Sequence, residues 1–108
     1  MDCLMLLALG ATSIGYEGHG DFNMEAAGLL TRRLERQEAP CVFTGVSIAH
    51  PRLFREAPEG AFSLNRLWDR AILEKRLYGA RLDGIWMHVG TPQSLAAAEE
   101  RLRLDHAR

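Results

Sequence analysis

Cys3-Leu4-Met5-Leu6-Leu7-Ala8-Leu9 is an unbroken apolar run. It has no polar–apolar alternation, which is the pattern of a strand covered on both faces, in the middle of a sheet. Periodicity alone leaves a short helix open as the alternative. An interior strand needs neighbours on both sides, so this run predicts that later segments flank it. It is too short to cross a bilayer. Asp2 precedes it, and neither a basic leader region nor a small-residue cleavage site makes it a secretory signal. A cytoplasmic chain is expected.

The segments that follow supply candidate neighbours. Gly10, Gly15, Gly18 and Gly20 mark an irregular loop over residues 10–20. Asp21–Glu25 alternates, Ala26-Ala27-Gly28 turns, and Leu29–Leu34 resumes, which reads as a β-hairpin. Cys41–Ile48, rich in β-branched and aromatic residues and bracketed by Pro40 and Pro51, is a strand with a glycine, Gly45, in its interior. Ser63 is placed to cap a helix whose Leu64, Leu67, Trp68, Ala71 and Ile72 share one face. Leu77–Leu82 and Ile85–Val89 flank Asp83-Gly84, the chemistry of a type I′ hairpin turn. Thr91 as N-cap and Pro92 at the first helical position open a last helix, with Leu95, Ala98 and Leu102 on one face. The order is strand, hairpin, strand, helix, hairpin, helix. The fold class is α/β or α+β.

Composition bounds the function. The 108 residues make one small domain at most. Hydrophobic residues are 47% and charged residues 25%, with a net charge of -1. Nothing in that balance attracts nucleic acid or an anionic membrane. Arg101, Arg103, His106 and Arg108 alternate with Glu99, Glu100 and Asp105, as on a solvated helix face. Cys3 and Cys41 sit in apolar runs, so two buried thiols are expected, with too few ligands for a metal site. No catalytic triad is selected by the spacing of Ser47, His50, Asp69 and His88, and Cys41 with His50 is no better. Glu17, His19 and Asp21 alternate along a polar loop face.

Three segments, taken in order, carry a resemblance. The first is Val42-Phe43-Thr44-Gly45-Val46-Ser47-Ile48 with His50-Pro51-Arg52-Leu53-Phe54. The second is Gly60-Ala61-Phe62-Ser63-Leu64-Asn65-Arg66-Leu67-Trp68. The third is Ile85-Trp86-Met87-His88-Val89-Gly90-Thr91-Pro92. Over about residues 1–100 the chain resembles the C-terminal half of sugar-1-phosphate nucleotidyltransferases. The matching branch contains N-acetylmuramate-1-phosphate uridylyltransferases and proteins labelled mannose-1-phosphate guanylyltransferases.

The resemblance implies half of a Rossmann-like domain, with residues 1–108 as a single partial domain on the sugar side. It implies a pocket wall of Phe43, Thr44 and Gly45, with Asn65 as a further substrate contact and Trp68 in the core. A glycine at 45 leaves room for a sugar to approach the main chain. The third segment looks like the family's Trp-x-Asp-x-Gly-Thr-Pro, in which the Asp binds the catalytic Mg²⁺. Here that position is His88. Mg²⁺ prefers hard oxygen ligands, so His88 is expected either to take a softer divalent ion, to meet a phosphate directly, or to stand aside while another residue holds the metal.

The family's Gly-rich, Arg- and Lys-bearing triphosphate loop has no counterpart here. Gly15-Tyr16-Glu17-Gly18-His19-Gly20 lacks a cation and a following helix, so no phosphate cradle is expected there. The expected chain therefore takes a sugar 1-phosphate, relies on Mg²⁺ or another divalent cation in the parent reaction, and is inactive alone. It would complete its sheet with the missing N-terminal half or with a second copy of itself. The rival reading is a non-catalytic sugar-phosphate-binding or self-assembling remnant.

Overall fold

The computed structural model describes residues 1–55 and 57–106; Arg108 lies outside them. Five strands form one mixed sheet: β1 (Cys3–Leu9), β2 (Phe22–Met24), β3 (Leu30–Arg32), β4 (Cys41–Ala49) and β5 (Leu77–Arg81). Their spatial order is β3-β2-β4-β1-β5. The described residues also form two helices, α1 (Asn65–Leu73) and α2 (Pro92–His106), and two 3₁₀ turns, Gly10–Thr12 and Pro51–Phe54.

The opening apolar run is the interior strand its composition predicts. β1 pairs antiparallel with β4, from Cys3↔Ala49 to Leu9↔Cys41, and parallel with β5, from Cys3↔Leu77 to Leu7↔Arg81. Its two faces are not equally covered. Cys3, Met5 and Leu7 are fully buried, while Leu4 and Leu6 on the opposite face are half-buried. The covered face packs on Phe22, Leu30, Cys41, Leu53, Leu67, Ala71 and Leu77. The core thus lies between one sheet face and the layer of α1 with the Pro51–Phe54 turn. The sheet curls over this core until its ends meet. Leu29 bridges to Tyr78, and Gly79 N–H donates to the Gly28 carbonyl at 2.8 Å. A Cβ on Gly79 would lie 2.5 Å from Leu7 Cδ1 and 2.9 Å from Leu30 Cδ2, so glycine is what lets the strands close there.

Gly45 occupies a β-bulge. Met5 faces Ser47 and Leu7 faces Phe43, so β4 carries two more residues than β1 across that step. Gly45 takes φ 96°, a conformation that favours glycine. Thr44 Oγ1 fastens the bulge by donating to the Leu6 carbonyl at 2.9 Å. Beyond Cys41, β4 has no strand on its outer side among the described residues, because β2 reaches it only at Phe22↔Cys41. Asp21 Oδ2 accepts the next outward amide, Phe43 N–H, at 2.9 Å.

The expected hairpin over 77–89 does not form. A type I′ turn needs positive φ at both central residues, and Asp83 is not among the positive-φ residues. Instead β5 joins β1 in parallel, and the later segment leaves to meet the glycine loop: Ile14 bridges Met87, Ile14 N–H donates to Trp86 O at 2.9 Å, and His88 N–H donates to Ile14 O at 2.7 Å.

Both helices begin close to where their caps predict. Ser63 Oγ accepts from Asn65 N–H at 3.2 Å, although Leu64 already has helical angles, so the cap lies one residue outside the helix. Thr91 and Ser94 form a reciprocal capping box, with each backbone N–H donating to the other's hydroxyl at 3.0 Å. The expected apolar face of α2 is only partly used. Ala98 and Ser94 are buried, whereas Leu95 and Leu102 are exposed. The α2 charges pair along the helix, Arg101 with Asp105 and Arg103 with Glu100, as on a solvated surface. No helix among the described residues is long and apolar enough to cross a membrane.

Candidate functional site

The Ile14–Met87 bridge brings the glycine loop against the start of α2 and opens a cleft of about 670 Å³ between them. Its lining includes Gly15, Tyr16, Glu17, His88, Gln93 and Ser94. Close approach depends on Gly15, which has φ 77° and whose missing Cβ would fall 2.3 Å from the His88 carbonyl oxygen and 2.6 Å from Ser94 Cβ. Trp86 lies behind the cleft between the tilted rings of Tyr16 and His88. Tyr16 lies 6.0 Å from Trp86, and Trp86 lies 5.8 Å from His88. Tyr16 Oη accepts Gly20 N–H at 2.9 Å, which folds the loop around its ring.

These groups can bind a small polar ligand by orientation rather than by charge. His88 is exposed at the mouth; an imidazole donates or accepts according to its protonation. Glu17 accepts and Gln93 does both. The amino end of α2 is a weak anion cradle, because Pro92 has no N–H and the Thr91 hydroxyl already takes the Ser94 amide. A hard divalent cation does not fit these residues. The cleft offers one carboxylate and one imidazole, and no group of three or more His, Cys, Asp or Glu side chains converges anywhere among the described residues.

The other expected site residues lie elsewhere. Phe43 is half-buried on the covered sheet face and meets Trp68 edge to face at 5.1 Å. Thr44 and Gly45 form the bulge. Asn65 Oδ1 accepts from Arg32 Nη2 at 2.9 Å, and Arg32 also pairs with Asp69 at 2.8 Å and lies over the Phe22 ring. None of Phe43, Thr44, Gly45 or Asn65 lines the His88 cleft. No hydrolytic triad assembles among the described residues either, since His50 Nδ1 accepts Arg52 N–H and Asp69 is held by Arg32. Glu17 joins the cleft, whereas His19 pairs with Glu38 at the surface and Asp21 serves β4. Tyr16 and Gln93 are cleft residues that the sequence reading did not single out. The glycines around Tyr16 were the available signal, but their partner strand is remote in sequence.

Cys3 and Cys41 are buried free thiols. Burial pushes both thiol pKa values up, and they lie at opposite ends of the β1–β4 ladder, beyond disulfide reach.

No protein-family model matches the chain. Among curated proteins it is 40% identical over 102 residues to the N-acetylmuramate alpha-1-phosphate uridylyltransferase of Caulobacter vibrioides. That match covers 94% of this chain and 42% of the Caulobacter protein, so the chain spans less than half the length of the curated relative it matches. The mixed sheet with two helices agrees with that correspondence. Across nearly its whole length the chain is similar to the C-terminal part of a sugar-1-phosphate uridylyltransferase, the family that its Gly45 strand and its Gly-Thr-Pro helix start resemble.

Proposed function

We propose that this chain supplies the sugar-phosphate side of a nucleotidyltransferase site and does not complete the reaction alone. The reaction joins a nucleoside triphosphate to a sugar 1-phosphate: a sugar-phosphate oxygen bonds to the α-phosphorus as the bond to pyrophosphate breaks. The relative's name favours UTP and N-acetylmuramate 1-phosphate as the pair to try first. The observation that carries the reading is the cleft that joins the glycine loop to the Trp86-Met87-His88-Val89-Gly90-Thr91-Pro92 segment. His88 would donate to a phosphate oxygen, and Glu17 and Gln93 would meet sugar hydroxyls. Any divalent cation would take its hard oxygen ligands from outside the described residues. The unpaired outer side of β4, with Val46 and Ile48 exposed beside it, supports a sheet continued by the rest of such a domain or by a second copy. Phe43, Thr44 and Gly45 would then line a pocket only once that edge is filled. Two unpaired thiols suit a cytoplasmic location.

The test is a pyrophosphate-release assay on the purified chain with UTP and N-acetylmuramate 1-phosphate, run beside an NMR titration with the sugar phosphate alone. Expected are no turnover and shifts of the His88 and Tyr16 ring signals. Sustained turnover overturns the claim of incompleteness, and shifts confined to other residues overturn the placement of the site. Light scattering separates the two routes to a complete sheet.

A further inference from the structure

A second cleft lies where the Pro51–Phe54 turn, the carboxyl end of α1 and the starts of β1 and β5 meet. It is an open cleft of about 250 Å³ lined by Arg52, Arg55, Arg70 and Arg76, with Asp2 and Glu74 as the carboxylates among its described lining residues. We propose that this cleft binds a small phosphate-bearing anion. The proposal is independent of the reading of the His88 cleft.

The cleft is organised around Asp2, which is buried. Its carboxylate receives Arg52 Nε and, at 3.1 Å, Arg76 Nη1. Arg52 Nη2 donates in addition to the Met1 carbonyl at 2.8 Å, and Arg70 Nη2 donates to the Leu53 carbonyl at 3.2 Å. These bonds orient the Arg52 guanidinium through two acceptors and tether those of Arg76 and Arg70. Each guanidinium has five N–H donors, so Arg52 and Arg76 keep donors beyond those that Asp2 and Met1 use, and their side chains are 38% and 44% exposed. Arg55, exposed at the end of the 3₁₀ turn, makes no side-chain hydrogen bond or ion pair with the described residues.

Charge points the same way. Among the described lining residues four arginines, Arg70 already engaged, face two carboxylates, in a chain whose net charge is -1. One buried carboxylate balances only one of the two guanidiniums that grip it. The carbonyl end of α1 brings partial negative charge to this corner. Its last carbonyls are already engaged: Ala71 O accepts from Arg76 N–H at 2.8 Å and Ile72 O from Lys75 N–H at 3.0 Å. Guanidiniums held in place beforehand recognise phosphate oxygens through paired charge-assisted bonds, with little ordering left to do on binding. The volume is ample for one or two phosphoryl groups.

The test titrates inorganic pyrophosphate, and separately inorganic phosphate, into the intact chain at low salt. Heat is measured by calorimetry and location by NMR of the arginine side chains. Saturable binding is expected, with shifts at Arg52, Arg55 and Arg76. Arg55→Ala is expected to weaken it about tenfold or more while leaving the thermal midpoint unchanged. Tyr16→Ala, in the other cleft, is the control expected to leave this binding intact. Absence of saturable binding, shifts confined to the His88 cleft, or unchanged affinity in Arg55→Ala would each overturn the proposal.

Discussion

Gly15 and Gly45 share a positive φ and differ in what surrounds them, so they form a matched pair. At Gly45 an added Cβ meets nothing within 4 Å. Gly45→Ala should therefore cost only the backbone penalty of a left-handed L-residue, about 1–2 kcal/mol. At Gly15 the same penalty applies, and the new methyl group would also stand 2.3 Å from His88 O and 2.6 Å from Ser94 Cβ. Neither neighbour yields readily, because His88 N–H is bonded to Ile14 O at 2.7 Å and Ser94 is buried within its cap. Relief requires parting the Ile14 and Trp86–His88 backbones, which gives up two hydrogen bonds worth about 1 kcal/mol each. Gly15→Ala should thus lose about 3–4 kcal/mol in all. With a urea dependence of about 1–3 kcal/mol per molar, its midpoint should fall about 1 M below that of Gly45→Ala. Urea unfolding by circular dichroism gives the midpoints, and Trp86 fluorescence reports the cleft. Equal midpoints for the two variants would refute the contact between the glycine loop and the His88 segment.

Other expectations follow from single side chains. Lys75 closes α1 with φ 57°, in the place where a Schellman cap takes glycine. Lys75→Gly should stabilise the chain by about 1 kcal/mol and raise the thermal midpoint by about 4–8 °C. Thr91→Ala removes one side of the capping box and should cost about 1 kcal/mol, seen as faster amide exchange at the start of α2; unchanged exchange would count against the cap. The Arg52 hydrogen bond, with Arg76 beside it, holds the Asp2 carboxyl below its ordinary 3.8 against the opposing effect of burial. The native pKa is the lower one, so Asp2's contribution is full above 3.8 and is lost as pH falls through the depressed native value. Asp2→Asn should be less stable at pH 7 and lose less than the parent between pH 5 and 2. Parallel pH profiles would contradict the ion pair.

The parts of this fold that were legible in the sequence are those decided by neighbouring residues. The apolar run at 3–9 demanded an interior position, and Thr91-Pro92 marked the start of α2. The pattern misled where distant segments compete. Asp83-Gly84 has hairpin chemistry, yet Leu77–Arg81 finds a better partner in β1, and Trp86–His88 finds one in Ile14. A local rule cannot weigh those alternatives. Leu95 and Leu102 show the converse: their spacing fits a buried helix face, but no element among the described residues covers them. The same holds for the sites. His88 was conspicuous as a departure from Asp in a family-like segment. That Gly15 and Tyr16 would stand opposite it depended on a bridge between residues far apart in the chain. The arginine cleft was unreadable, since its members come from three widely separated stretches and converge only through Asp2.

The position of β1 bears on how the chain is made. The sheet's interior strand leaves the ribosome before both strands that flank it, and its Asp2 end is tied to Arg52 and Arg76, which follow 50 and 74 residues later. At about 5–20 residues per second, Cys3–Leu9 waits several seconds for β5, with that backbone edge uncovered until then. Contacts of such long sequence separation also close slowly. The interval between synthesis and closure is therefore when this chain is most exposed to chaperones, proteases and self-association.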